Sequence, residues 1–255
     1  MTGEPRRAPS AASEDGRART SAGEAVAALV TAVHDGVGGP RDWSQRLVGI
    51  ARVIARSAHD AGVRGAASGR VLVDTMSETA PRLPIRTRPV LLGLYPGRSI
   101  DDIGEELARV AARSTAAIGA AAGALAAVEF AAPPTLLAAP VQVAAETVAV
   151  AAVEVKLVAE LHELYGAQVP TAAADRTAAY LMAWARQRAI GPGARGVGGL
   201  RQAATRELKS RLLRRMGRNV TSLAPFFAGA VAGAELNRRS TRTLAGRIIA
   251  DLRAR

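Results

Sequence analysis

Polar residues that could carry out acid–base or metal chemistry lie close together between residues 154 and 165. They are Glu154, Lys156, Glu160, His162, Glu163 and Tyr165. Lys156 and Glu160 have the i, i+4 spacing of an ordinary ion pair on a helix surface. A four-helix di-metal site needs a duplicated Glu-x-x-His pattern and a zinc protease needs HExxH, and the sequence contains neither. We therefore interpret Glu154, Lys156, Glu160, His162 and Tyr165 as a polar cluster of unknown role, with no metal or other cofactor predicted.

A second feature that resembles a catalytic motif is the pair of dipeptides His34-Asp35 and His59-Asp60. A metal-dependent phosphohydrolase would need a further His and a distant Asp in the same pocket. Both dipeptides instead fall at predicted helix ends, where His interacts favourably with the helix dipole. The P-loop and GxSxG motifs do not occur, and the GxGxxG letters within 191–199 follow no predicted strand. No catalytic residue is predicted, and the missing motifs argue against enzymatic activity without excluding it.

The most strongly basic stretch is the predicted helix 200–218. Leu200, Ala204, Leu208, Leu212 and Met216 recur every four residues, and basic residues occupy the other faces. Such a helix can lie on an anionic membrane with its apolar side down. It can equally be a packed helix with a solvated basic face. The predicted lipid contacts are Arg201, Lys209, Arg211, Arg214, Arg215 and Arg218.

Two GxxxG patterns indicate helices that approach another backbone closely, as membrane helices do. The first is Gly119 with Gly123, and the second is Gly229 with Gly233. Phe226 and Phe227 immediately precede the second pattern. All six residues are predicted to contribute to membrane contact or helix packing. In a chain with 25 Gly, however, the spacing also arises by chance and in soluble helix pairs.

The composition favours an all-α protein whose helices pack through small side chains. Of the 255 residues, 49% are hydrophobic but only 3% are aromatic, and runs typical of strands are missing. The net charge is +12 and almost every basic residue is Arg, so phosphate-bearing partners are expected. The absence of Cys excludes disulfides and thiolate metal sites. The apolar stretch 25–33 does not resemble a signal peptide, which predicts a location on the cytoplasmic side.

Prolines, glycines and polar stretches divide the chain into four regions. Residues 1–22 form a polar tail that should be disordered, and 23–80 contain amphipathic helices. Residues 81–98 are a Pro-rich linker with at most a brief apolar element, and 99–255 form a helical domain. The predicted architecture is therefore a helical bundle preceded by shorter N-terminal helices.

An Ala-rich antiparallel hairpin dominates the region 99–165. Ser99 predicts the start of its first arm, Pro133 and Pro134 must end that arm, and Pro140 suits the first turn of the second. Charge-free runs are shorter than the roughly 20 apolar residues that a membrane span requires. Both a hairpin that dips into one leaflet and a hairpin buried in a helical bundle remain open. Glu129 and Glu146 would cost a few kcal/mol each if they were ionised in lipid.

The region 101–255 resembles the EcsC-like proteins of bacteria, and its composition resembles that of actinobacterial members. The resemblance rests on a proline-led apolar hairpin that ends in Tyr165-Gly166. It also rests on a second block formed by Pro225, Gly229, Gly233, Asn237 and Thr241 or Thr243. It implies a helical, membrane-associated protein without an assigned activity, linked by name to an ABC-transporter operon. It assigns no catalytic residues.

Together these features predict a membrane-associated accessory or scaffolding protein, peripheral or partly inserted on the cytoplasmic face of the membrane. An anionic membrane surface is the expected partner, and a protein partner in a membrane complex is compatible with this role. The alternative is a soluble nucleic-acid-binding module that uses helix 200–218, although it has few aromatic residues for base stacking. A third hypothesis is a hydrolase that uses Glu154, Glu160 and His162. The oligomeric state is not predicted.

Overall fold

The computed structural model describes residues 11–60, 70–130, 139–167, 172–188, 210 and 227–254. Within these ranges the chain forms eight α-helices and one short 3-10 turn, and they contain no strand. The helices are α1 (Ala11–His34), α2 (Pro40–Asp60), α3 (Arg70–Thr79), α4 (Arg88–Leu94), α5 (Ile100–Phe130), α6 (Ala139–Leu164), α7 (Ala173–Arg188) and α8 (Phe227–Arg253). The 3-10 turn covers Ala80–Arg82. The prediction of an all-α fold is confirmed.

Local sequence explains where several helices begin and end. The Ser99 hydroxyl accepts a hydrogen bond from the Asp102 backbone N–H at 3.1 Å and so caps α5. At the end of α6, Gly166 has a φ of +69°, and the Ala167 N–H donates to the His162 carbonyl at 3.0 Å. This is the six-to-one bond of a Schellman motif, which requires a left-handed residue and therefore favours glycine. Gly36 ends α1 in the same conformation.

Helix α6 is the centre of the protein. It contacts α1 to α5, α7 and α8, and every residue from Val143 to Leu161 is buried. Its Ala and Val side chains allow these neighbours to approach closely, as the composition predicts. One continuous apolar core joins α6 to the N-terminal helices as well as to α5 and α8. The second arm of the predicted hairpin is thus surrounded by protein.

Helices α5 and α8 pack against each other without intervening side chains at one point. Gly119 of α5 faces Gly233 of α8, and a Cβ on Gly119 would lie 2.9 Å from the Gly233 carbonyl oxygen. The same Cβ would lie 2.6 Å from Asn237 Nδ2. Since real Cβ atoms do not approach other atoms so closely, only glycine fits at position 119 without a shift.

The N-terminal half differs from the sequence-based expectation in two places. Helix α1 begins at Ala11, inside the segment 1–22 that was expected to be disordered, because this stretch contains enough Ala, Glu and Arg to continue the helix. The linker 81–98 contains the 3-10 turn and α4.

None of the described helices combines the length and apolarity that crossing a membrane requires. Residues 131–138, which form the predicted hairpin tip, lie outside the described residues.

Candidate functional site

Four charged side chains are buried in the central helix α6. Glu154 is completely inaccessible, Lys156 and Glu160 are nearly so, and Glu146 is 9% exposed. A buried charge is strongly unfavourable unless it is paired and hydrogen-bonded. The partners of these four residues therefore decide what the cluster can do.

Glu154 lies between α7 and α8, where it is held by groups from both helices. Trp184 Nε1 donates to its carboxylate at 2.9 Å and Arg188 Nε donates at 3.2 Å. Arg188 Nη2 donates to the second carboxylate oxygen, which also accepts from the Thr241 hydroxyl at 3.2 Å. Arg188 Nη1 is in turn bound to Ser240 Oγ at 2.8 Å. We call these residues the Glu154 network.

The Glu154 network continues along the interface between α5, α6 and α8. The hydroxyls of Thr241 and Thr115 are hydrogen-bonded at 2.9 Å. Asn237 Nδ2 donates to the Thr115 carbonyl and to Glu146 Oε1, both at 3.1 Å. The result is a chain of buried polar contacts that runs from Glu154 to Glu146 and ties three helices together.

Glu160 lies on another side of α6, towards the segment that precedes α4. Arg86 donates from Nε and Nη2 to its two carboxylate oxygens, each at 2.8 Å, in a bidentate ion pair. Lys156 Nζ donates to the same carboxylate and to the Pro84 carbonyl, the latter at 2.7 Å. The charges of Lys156, Glu160 and Arg86 also act on His34, at the end of α1. We call these residues the Glu160 network.

The Glu160 network keeps its groups in defined protonation states. Burial raises the pKa of Glu160, but hydrogen bonds from Arg86 and the charge of Lys156 outweigh it and leave the pKa below its usual value. Desolvation lowers the pKa of Lys156, although Glu160 opposes the shift. Desolvation and then the charge of Lys156 lower the pKa of His34 to about 4, so His34 is neutral at pH 7.

The described hydrogen bonds of His162 and Tyr165 are made outside these two networks. His162 Nδ1 lies 2.8 Å from the Val158 carbonyl of its own helix, and its ring packs edge-on against Tyr180. The Tyr165 hydroxyl donates to Asp101 at 2.7 Å, and Arg253 donates to the same carboxylate at 2.9 Å. The polar cluster predicted from the sequence is therefore divided among separate places in the fold.

This division bears on the chemistry that the cluster could support. Glu154 and Glu160 are each held by an arginine, and His162 Nδ1 lies against the Val158 carbonyl of its own helix. Within the described ranges, no group of three His, Asp or Glu residues could hold a metal ion. A shallow groove of about 220 Å³ between α5 and α8 is lined by other residues, including Glu105 and Arg242. The Glu154 network links α6 to α5, α7 and α8, and the Glu160 network links α6 to the segment before α4.

The remaining predicted site residues are placed as follows. Gly119 and Gly233 meet at the contact of α5 with α8, and Gly123 lies partly buried one turn further along α5. Phe227 and Gly229 are in the first turn of α8. Phe226 and the predicted lipid contacts Arg201, Lys209, Arg211, Arg214, Arg215 and Arg218 lie outside the described residues.

Several residues of the networks carry no sequence signal. Arg86 lies in the predicted linker, 74 residues before Glu160, and Arg188 ends a helix 34 residues after Glu154. Neither arginine stands out in a chain with this many. A buried Glu in an otherwise apolar helix does indicate that a partner exists, but not which residue supplies it. Asn237 and Thr241 belong to the pattern of the EcsC-like resemblance.

We compared the chain with family models, with curated proteins and with solved structures, and none of them matches it.

Proposed function

We propose that this chain is a helical scaffold that attaches to an anionic membrane surface as a peripheral protein, as its resemblance to EcsC-like proteins implies. The observation that carries the proposal is the distribution of charge. The described residues contain twenty-two Arg and Lys and twenty Asp and Glu, so the bundle is nearly neutral. Most of the net charge of +12 therefore belongs to the rest of the chain.

Half of this net charge comes from one segment between α7 and α8. Residues 201–218 contain seven basic residues and one acidic residue, Glu207. Each Lys or Arg held near an anionic bilayer contributes about 1 kcal/mol of attraction. The aliphatic residues of the predicted amphipathic helix and the following Phe226-Phe227 pair would add apolar contact with the lipid. This segment is the proposed membrane-binding element.

The fold supports a scaffolding role. Glu146 and Glu154 of α6 bind groups of other helices, and Lys156 and Glu160 bind the segment before α4, so these charges tie parts of the bundle together. Because protein surrounds the second arm of the hairpin, attachment at the surface fits the fold better than insertion of that arm into lipid. The proposed location is the cytoplasmic face of the membrane.

Co-sedimentation with phosphatidylcholine vesicles, with and without phosphatidylserine, tests the proposal. Wild type should bind only the anionic vesicles, and R211Q/R214Q/R215Q should bind them about 100-fold more weakly, since three charges contribute about 3 kcal/mol. The matched control R41Q/R52Q/R56Q removes three exposed arginines from α2 and should bind nearly as wild type.

Two results would overturn the membrane proposal. In the first, wild type remains in the supernatant with anionic vesicles at low salt. In the second, wild type does not bind the vesicles but binds duplex DNA with an affinity that falls steeply as the salt concentration rises. The second result would support the alternative, a nucleic-acid-binding module that uses the same segment.

A further inference from the structure

A shallow groove lies on the surface where α5 packs against α8. Its volume is about 220 Å³, and it is lined by Glu105, Ala108 and Arg109 of α5 and by Arg242, Ala245, Gly246 and Ile249 of α8. The lining residues are spaced i, i+3, i+4 on α5 and i, i+3, i+4, i+7 on α8, so each set occupies one helix face. Pockets for drug-sized ligands measure about 300–1,000 Å³. A ligand of this groove would therefore be a smaller molecule.

The bottom of the groove is apolar and uncovered. Ala108, Ala245 and Ile249 are buried and belong to the contact between the two helices. Gly246 is exposed, and a Cβ placed on it would meet no atom within 4 Å. Packing therefore does not require glycine at this position, in contrast to Gly119. The missing side chain leaves the groove open.

Charges of both signs line the groove without pairing across it. Glu105 and Arg242 are exposed, and neither makes an ion pair or a side-chain hydrogen bond within the described part of the chain. Arg109 is bound to Glu106 of its own helix, and Arg98 lies 3.6 Å from the same carboxylate. Since a guanidinium has five N–H donors, Arg109 keeps donors for a further acceptor. The groove thus presents two guanidinium groups and one carboxylate to a ligand.

We propose that this groove binds a small phosphate monoester that also carries an ammonium group. Arg109 and Arg242 donate to the phosphate, and Glu105 accepts from the ammonium group. The short carbon linker between these two groups lies on Ala108 and Ala245. The charges match, because a phosphate monoester carries about −1.5 to −2 at pH 7 and faces two guanidinium groups, while one ammonium faces one carboxylate.

Simpler ligands fit the lining less well. A plain anion would bring its charge close to Glu105, and a plain cation would face both arginines, so each would meet a repulsive group. The proposal goes beyond attachment to a membrane and does not depend on it, because the proposed membrane-binding segment 201–218 contributes no described residue to the groove.

An NMR titration of the full ¹⁵N-labelled chain with phosphoethanolamine tests the proposal. The amide signals of Ala108, Ala245 and Gly246 should shift in a saturable manner. Inorganic phosphate, which lacks the ammonium group, should bind the groove about tenfold more weakly, and ethanolamine should not shift these signals. Because a chain of net charge +12 attracts phosphate at other places too, only shifts at the groove count as support. Phosphoethanolamine that shifts signals only elsewhere, or none at millimolar concentration, would overturn the proposal.

Two charge variants test the roles of the lining residues. R242Q should weaken phosphoethanolamine binding about tenfold, whereas R247Q, which removes an exposed arginine of α8 outside the groove, should leave it nearly unchanged. E105Q should remove the preference for phosphoethanolamine over inorganic phosphate, and the control E24Q on α1 should keep it. Equal effects of R242Q and R247Q would show attraction by total charge alone and would refute the site. A preference that survives E105Q would refute the role of the ammonium group.

A third variant fills the groove. G246L places a side chain where a Cβ meets nothing within 4 Å, so the fold should be retained while the shifts of Ala108 and Ala245 are lost. G49L is the matched control, because a Cβ on this glycine of α2 also meets nothing within 4 Å. Circular dichroism verifies that both variants are folded. Wild-type affinity for phosphoethanolamine in folded G246L would overturn the proposal.

Discussion

The contact between α5 and α8 predicts that replacing Gly by Ala destabilises the protein at one glycine and stabilises it at another. At Gly119, a Cβ would come within 2.6 Å of Asn237 Nδ2 and 2.9 Å of the Gly233 carbonyl oxygen. At Gly233, the nearest atom is the Gly119 carbonyl oxygen at 3.4 Å, an ordinary van der Waals distance. At Gly246, an exposed residue of α8, nothing lies within 4 Å.

The magnitudes follow from these distances. Replacing Gly by Ala inside a helix favours folding by about 1 kcal/mol, and all three positions gain this amount. G119A must in addition displace backbone of α8, and overpacking of this kind costs about 1–3 kcal/mol. It also disturbs the hydrogen bonds from Asn237 to Thr115 and Glu146, where an unsatisfied buried group costs about 1–3 kcal/mol. The net destabilisation expected for G119A is about 1–5 kcal/mol, after the gain of about 1 kcal/mol is subtracted from the two costs.

Urea denaturation followed by circular dichroism provides the measurement. G119A should lower the midpoint with an unchanged m-value, G246A should raise it, and G233A should match or slightly exceed wild type. The double variant G119A/G233A should be the least stable, since both Cβ atoms would then occupy the same contact. If G119A proved as stable as G246A, the two helices could not approach as closely as described, and the reasoning would fail.

Two further predictions concern the buried networks. E154Q leaves Arg188 buried without its carboxylate and should destabilise the protein by about 3–5 kcal/mol in urea denaturation. The control E235Q, on the surface of α8, should have a much smaller effect. Equal effects of the two variants would contradict the Glu154 network. His34 has a pKa of about 4 in the folded state and 6.5 in the unfolded state, so between these pH values the unfolded state binds more protons. His34 therefore leaves folding stability unchanged above pH 6.5 and lowers it as the pH drops. Wild type should therefore lose about 1 kcal/mol of folding stability between pH values of about 7 and 5, a figure discounted for the partly exposed ring, and H34Q should not. Both proteins should lose stability below a pH of about 4.5, because the pKa of Glu160 is lowered in the folded state. An unchanged pH profile in H34Q would contradict this assignment.

The helical fold could be predicted because its signals are local. The Ser99 cap, the Gly166 terminus and the absence of strand-forming runs each depend on a few neighbouring residues. The start of α1 was missed for the same reason, since a polar, Pro- and Ser-rich beginning resembles a disordered tail. Propensity alone does not show that the helix continues upstream from Ala22, which packs into the core at 2% exposure.

The arrangement of the candidate site could not be predicted, because its contacts are distant in sequence. Glu154 and Glu160 are separated by six residues, so they lie on different sides of α6 and meet different neighbours. Glu154 is held by Arg188 at the end of α7, and Glu160 is held by Arg86 in the segment before α4. A helix that is apolar on nearly all sides gives no preferred face, so its sequence does not reveal which neighbour covers which residue.

The uncertainty between membrane and core has the same physical origin. A helix surrounded by other helices needs nearly the same composition as one surrounded by lipid, because both environments exclude water. The two environments differ in what they offer a carboxylate. Neighbouring parts of a protein can supply a positioned guanidinium or amide, as Arg86, Arg188 and Asn237 do for the carboxylates of α6. Lipid tails supply no such group. Several Glu residues within one apolar helix therefore favour a protein core when the chain contains enough arginines to pair with them.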